Sequence, residues 1–139
     1  MIAGLLLIIE RQLAFKINKE LSHSLDLTLS QWKVTAFLDK PRTSTLVGIS
    51  NYLSVEKPSV TRTVASLDAR QLVIQVFGKD KREKRIQLTD SGREIFAACL
   101  NTLHEMQYKL LEGISNEEHS ILLQLLTKMQ LKFKKGRRK

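Results

Sequence analysis

Apolar residues recur every third or fourth position through most of this chain, but between Val73 and Leu88 that spacing gives way to alternation. Val73–Phe77 is β-branched and aromatic, which predicts a strand. Ile86 and Leu88 alternate with Arg85 and Gln87 and predict a second. Gly78–Lys84 must turn the chain back between them, so one hairpin interrupts an otherwise helical chain. Only two prolines and six glycines occur in 139 residues, and this scarcity of breakers also favours helices. The expected class is mainly α with a small β-hairpin.

The helices can be placed from their stripes and caps. Leu6, Ile9, Leu13, Ile17, Leu21 and Leu25 line one face of a long first helix, whose first two turns are apolar all round. Thr28 and Gln31 form a T-x-x-Q capping box that opens a second helix through Trp32, Val34, Phe37 and Leu38. Lys40-Pro41 should end it, because the residue before proline is pushed out of the helical region. Two short helices follow, near Leu46–Leu53 and Lys57–Gln71, the second with Pro58 in its first turn and Val60, Val64 and Leu67 as its buried stripe. Two helices joined by so few residues make a helix–turn–helix. After the hairpin, Thr89-Asp90 begins a helix with Ile95, Cys99, Leu103, Met106, Leu110 and Ile114 on one stripe. A capping box at Ser115–Glu118 then opens a last helix with Leu122, Leu125, Met129 and Phe133.

Charge narrows the partner. The formal net charge is +9. Residues 79–85 hold five basic and two acidic side chains, and residues 132–139 hold six basic and no acidic ones. The rest of the chain has 12 of each sign, so the whole excess sits in two short segments. Such patches point to a polyanion. A membrane is the weaker reading, because the bases cluster in a turn and a tail rather than on an amphipathic helix. The apolar run Met1–Ile9 stops at Glu10 and Arg11, far short of a span, and lacks the basic flank and cleavage site of a secretory signal. Burial against another helix, of this or of a second subunit, suits it better.

Duplex DNA fits these features. The face formed by Lys57, Pro58, Ser59, Thr61, Arg62, Thr63 and Ser66 is polar, short and nearly free of acid, as a helix in the major groove requires. Arg62 has the forked donors to read guanine, and the amides beside Pro58 are expected to be open to a phosphate. The hairpin tip, with Lys79, Lys81, Arg82, Lys84 and Arg85, suits phosphates or a narrow minor groove.

Three segments carry a resemblance: Leu27-Thr28-Leu29-Ser30-Gln31-Trp32, the run Lys57–Thr63, and Asp80–Thr89. The last matches the pattern D-x-R-x-x-x-[I/L]-x-L-T at each defined position. Together they resemble MarR-family regulators, the SlyA-type branch above all, from about Leu5 to Met129. Ser54 and Gln71 stand where many relatives carry glycine. The resemblance implies one domain over 1–139: dimerisation helices at 1–27 and 90–134, a winged helix–turn–helix at 28–89, and a basic tail at 135–139. It implies a homodimer on pseudo-palindromic promoter DNA, with Asp80 holding Arg82 in place, and release by a small phenolic or anionic effector. Cytoplasmic, nucleoid-associated location follows from that role, and the single cysteine agrees with a reducing compartment.

Phe15, Trp32 and Phe37 read either as the lining of an effector pocket or as ordinary core. Cys99, on an apolar stripe, reads as a small buried hydrophobe rather than a redox sensor. His23, His104 and His119 lie at no metal-ligand spacing, and no cofactor is implied. No nucleophile–base set or phosphate-cradling loop suggests an enzyme. A winged module that binds a protein instead of DNA is the alternative, and acids or large apolar residues at 57–66 would favour it.

Overall fold

A computed structural model describes residues 1–39 and 42–136. The expected stop at Lys40-Pro41 and the end of the basic tail lie outside the described residues. Eight elements follow in order: α1 (Ile2–Leu25), α2 (Leu29–Leu38), α3 (Leu46–Leu53), α4 (Lys57–Ala69), β1 (Val73–Phe77), β2 (Lys84–Leu88), α5 (Asp90–Leu110) and α6 (Asn116–Gly136). Two compact units make up the chain, Met1–His104 and Glu105–Lys139.

In the first unit α2 is central, touching α1, α3, α4 and β2. Its start is fixed by the capping box: the Gln31 amide donates to Thr28 Oγ1 at 3.1 Å, and the Thr28 amide donates to Gln31 Oε1 at 2.9 Å. The core gathers Leu21, Leu27, Val34, Leu38, Ile49, Val60, Val64, Leu67, Leu72, Val73, Ile86, Leu88 and Cys99. Leu21 is the one buried residue of α1. Its apolar first turns stand open, with Ile2, Leu5, Leu7 and Ile8 all exposed.

α4 owes its position to burial, not propensity. Pro58, Ser59, Thr61, Thr63 and Ser66 are weak helix formers. Val60, Val64 and Leu67 are buried, each contributing about 1.5–3 kcal/mol. The helix ends two residues earlier than its apolar spacing suggests. Gln71 takes a left-handed conformation, φ 60°. The Leu72 amide reaches back to the Leu67 carbonyl at 2.9 Å and the Gln71 amide to that of Asp68 at 2.9 Å. This is a Schellman turn with glutamine where glycine is preferred, and buried Leu67 and Leu72 supply its apolar contact.

β1 and β2 pair antiparallel, Val73 opposite Leu88 and Phe77 opposite Lys84. Thr89 then locks the base of the hairpin. Its amide donates to the Leu72 carbonyl at 3.1 Å and its hydroxyl to the Gln71 carbonyl at 2.8 Å, while Thr89 Oγ1 caps α5 through the Gly92 amide at 3.0 Å. The buried line of α5 is Gly92, Phe96 and Cys99. The expected stripe shares Cys99 with this line, and Ile95 packs partly buried against the core beside it. Gly92 lets α5 lie close to the turn before β1: a Cβ there would lie 2.1 Å from the Leu72 carbonyl oxygen.

In the second unit, Gly113 turns the chain with φ 84°. The Ser115 amide donates to Glu118 Oε1 at 3.0 Å and the Glu118 amide donates to Ser115 Oγ at 3.1 Å, opening α6. The Ser115 amide and hydroxyl hold the Glu118 carboxyl below its ordinary pKa. Ile121, Leu122, Leu123, Leu125, Leu126, Leu131 and Phe133 are exposed. No described helix is long and apolar enough to cross a membrane.

Gly92→Ala is expected to lower folding stability by about 1–3 kcal/mol, because backbone cannot retreat as a flexible side chain would. Gln71→Gly should raise it by roughly 0.5–1 kcal/mol, relieving the left-handed strain against a freer unfolded chain. Urea unfolding of both variants checks these opposite signs.

Candidate nucleic-acid interface

The outward face of α4 follows from its buried one. With Val60, Val64 and Leu67 turned inward, Lys57, Pro58, Thr61 and Arg62 are exposed, and Ser59 and Thr63 are half-buried. Among the described residues Arg62 Nη2 makes only a long contact to Ser59 Oγ, 3.3 Å, so its fork is otherwise open there. Thr61 and Thr63 spend their hydroxyl protons on the helix, donating to the Lys57 and Ser59 carbonyls at 3.0 Å each. They meet a ligand first as acceptors.

Two expectations change in detail. The amides of Ser59 and Val60 are not open to a phosphate, since both donate to the Glu56 carbonyl, at 3.0 and 3.2 Å. Glu56 itself places an exposed acid at the start of the helix. Ser66 serves the fold: its oxygen accepts from Gln31 Nε2 at 3.0 Å and donates to the Thr63 carbonyl at 2.6 Å. Gln31, buried in α2, thereby uses its oxygen for its own helix cap and its nitrogen to hold α4. Arg70 adds a second brace that sequence reading missed, donating from Nη1 to the Asp26 carbonyl at 2.6 Å and so tying the end of α4 to the end of α1.

The hairpin tip is closed by Gly78 donating to the Glu83 carbonyl at 3.0 Å and Glu83 donating to that of Asp80 at 2.8 Å. Asp80 does hold Arg82, but by its backbone: the Arg82 amide donates to Asp80 Oδ1 at 3.0 Å. The guanidinium stays free. Lys79, Lys81, Arg82 and Lys84 are exposed, and among the described residues their charged ends have no partner. Arg85 differs, turning back onto Thr43 and Glu83. Four cations thus crown a short turn with no internal use, beside a helix whose outer face is hydroxyls and one open arginine.

The aromatic candidates sit in different surroundings. Phe15 is exposed and lines shallow grooves with α1 residues, Arg11, Lys16 and Lys19 among them. Trp32 and Phe37 pack against the core. Phe37 also meets the Tyr52 ring at 4.4 Å, with the Arg42 guanidinium 4.7 Å from its centre. Cys99 is fully buried, and burial pushes its thiol above the ordinary pKa, keeping it protonated and unreactive.

Helices α3 and α4, followed by a hairpin with a cationic tip, define a winged helix–turn–helix. The fold is that of MarR-type proteins. Wild-type MarR from E. coli in its apo form is 25% identical, covering 93% of this chain and 96% of its own, with a TM-score of 0.82. A MarR/EmrR family transcriptional regulator from Acinetobacter sp. ADP1 is 24% identical over 96% of this chain and 94% of its own, TM-score 0.82. MepR from S. aureus, solved as a DNA complex, is 24% identical over 96% of both chains, TM-score 0.78. No protein-family model matches the sequence.

Ser66→Ala should cost about 0.5–1.5 kcal/mol of folding stability through the lost Gln31 bond, while leaving any sequence preference intact. Thermal unfolding together with binding to a randomised duplex library separates the two effects.

Proposed function

We propose that this chain is a MarR-family transcriptional regulator, nearest the SlyA-type branch, that binds duplex DNA as a homodimer at pseudo-palindromic promoter sites. The observation that carries this reading is the pairing of one free-forked arginine on the outer face of α4 with four unpartnered cations on the adjoining wing. Arg62 would read a base edge in the major groove, with Lys57, Ser59, Thr61 and Thr63 around it. Lys79, Lys81, Arg82 and Lys84 would meet phosphates or the minor groove, where the negative potential is strongest. The MepR–DNA complex, which shares the fold, supports the same use of it.

Dimerisation is supported by two sets of exposed apolar side chains, one on α1 and one in the second unit. Water would penalise both in a monomer. A two-fold pair of α4 helices would read half-sites about 34–36 Å apart. Release by a small aromatic anion is the finer part of the proposal. The family resemblance supports it, and exposed Phe15 amid Arg11, Lys16 and Lys19, with Glu20 the one acid of that lining, offers a net cationic aromatic surface. Nucleoid-associated, cytoplasmic location follows from the DNA role.

Arg82→Ala is expected to weaken binding and to lower the slope of log affinity against log salt by about 1, one phosphate contact fewer. Arg62→Ala should instead relax base preference at one position per half-site by about 1–3 kcal/mol. Fluorescence anisotropy at several salt concentrations, with a randomised site library, measures both. An unchanged slope and an unchanged preference would remove wing and helix from the interface. Sedimentation should give twice the 15.9 kDa chain mass, and Leu7→Glu should shift it toward the monomer and weaken DNA binding with it.

A further inference from the structure

We infer that Arg85 is a positioning residue: it clamps the wing to the segment leading into α3 and makes no contact with DNA itself. The inference rests on the DNA-binding reading above, and it removes one of the five wing bases from the expected contact set.

The guanidinium is used from every nitrogen. Nε donates to Thr43 Oγ1 at 2.7 Å and Nη2 to the Thr43 carbonyl at 2.9 Å. Nη1 pairs with the Glu83 carboxylate, the one ion pair among the described residues. About two thirds of the side chain is buried, at 32% exposure, whereas the four tip cations are exposed. Residues 43 and 85 lie 42 positions apart, so these contacts join distant segments.

The backbone closes the same seam. Ser44 bridges to Ile86 in both directions, its amide donating to the Ile86 carbonyl at 3.1 Å and the Ile86 amide to the Ser44 carbonyl at 2.7 Å. One residue further, Thr45 caps α3 by accepting from the Gly48 amide at 3.0 Å. The wing is therefore fixed to the start of the helix–turn–helix by a one-residue β-bridge at Ser44, with Arg85 as its side-chain rivet. Glu83 has a double part, since its backbone closes the tip and its carboxylate neutralises the clamp. Gly78 leaves room for that pair, because a Cβ there would sit 3.2 Å from Glu83 and 3.4 Å from Arg85 Cδ. A two-stranded hairpin by itself is marginal in water, and an untethered wing would have to be ordered on binding.

Arg85→Lys separates clamp from contact, because lysine keeps the charge but cannot span three acceptors. Arg85→Lys and Arg85→Ala should weaken affinity alike, by roughly tenfold for re-ordering the wing, with the salt slope unchanged. Thr43→Val, which alters no charge, should weaken binding in the same direction. Amide exchange at Ser44 and Ile86 should quicken about tenfold or more in all three variants. Wild-type affinity in Arg85→Lys, or a slope lowered by about 1 in Arg85→Ala, would overturn the inference and make Arg85 a phosphate contact. Unchanged exchange at Ser44 and Ile86 would overturn the clamp as well. If the wild-type chain selected no duplex, the DNA reading would fall, while the clamp would still be decided by exchange alone.

Discussion

The burial of Val60, Val64 and Leu67 is the contact on which the rest of the structure depends. α4 has a sequence that would not hold a helix in water, and these three side chains give it a seat against α2, α3 and β1. Once they point inward, helical geometry decides what points outward. It also decides where the wing begins, because Leu67 is both the last buried residue of α4 and the acceptor of the Leu72 amide that turns the chain into β1. Reader helix and wing are thus one continuous piece, joined by a turn that Thr89 and Gly92 brace from the other side.

Around that seat, polar side chains do work that charge counting does not show. Gln31 ties α2 to α4 through Ser66, Arg70 ties α4 to the end of α1, and Arg85 ties the wing to the approach to α3. The charges left over are those with no internal partner. Among the described residues this leaves on α4 Lys57, Asp68 and, apart from its long contact to Ser59, Arg62, and on the wing four cations. In the proposed DNA-binding role, long-range attraction should therefore reside mainly in the wing and base discrimination in the helix, with rigidity between them supplied by the braces.

Local patterns made much of this legible in advance. The stripe of α4, both capping boxes and the hairpin are encoded within a few residues of where they act, so periodicity and cap chemistry place them. Ser66 and Arg85 were not legible in the same way. Each looked like a surface residue of a binding face, and each takes its role from a partner more than thirty positions away. Gly92 is a similar case, since it faces a carbonyl of Leu72 that no helical spacing reveals. Of the three aromatics, Trp32 and Phe37 pack against the core while Phe15 is exposed, a difference that residue type alone does not reveal.

Selection of bound fragments from genomic DNA tests the central claim most directly, because it asks for sequence, symmetry and spacing together. A dimer of winged modules held as described should enrich a pseudo-palindrome whose half-sites are centred about one helical turn, 10–10.5 base pairs, apart. Enrichment of no sequence, or of a lone half-site without a symmetric partner, would contradict it.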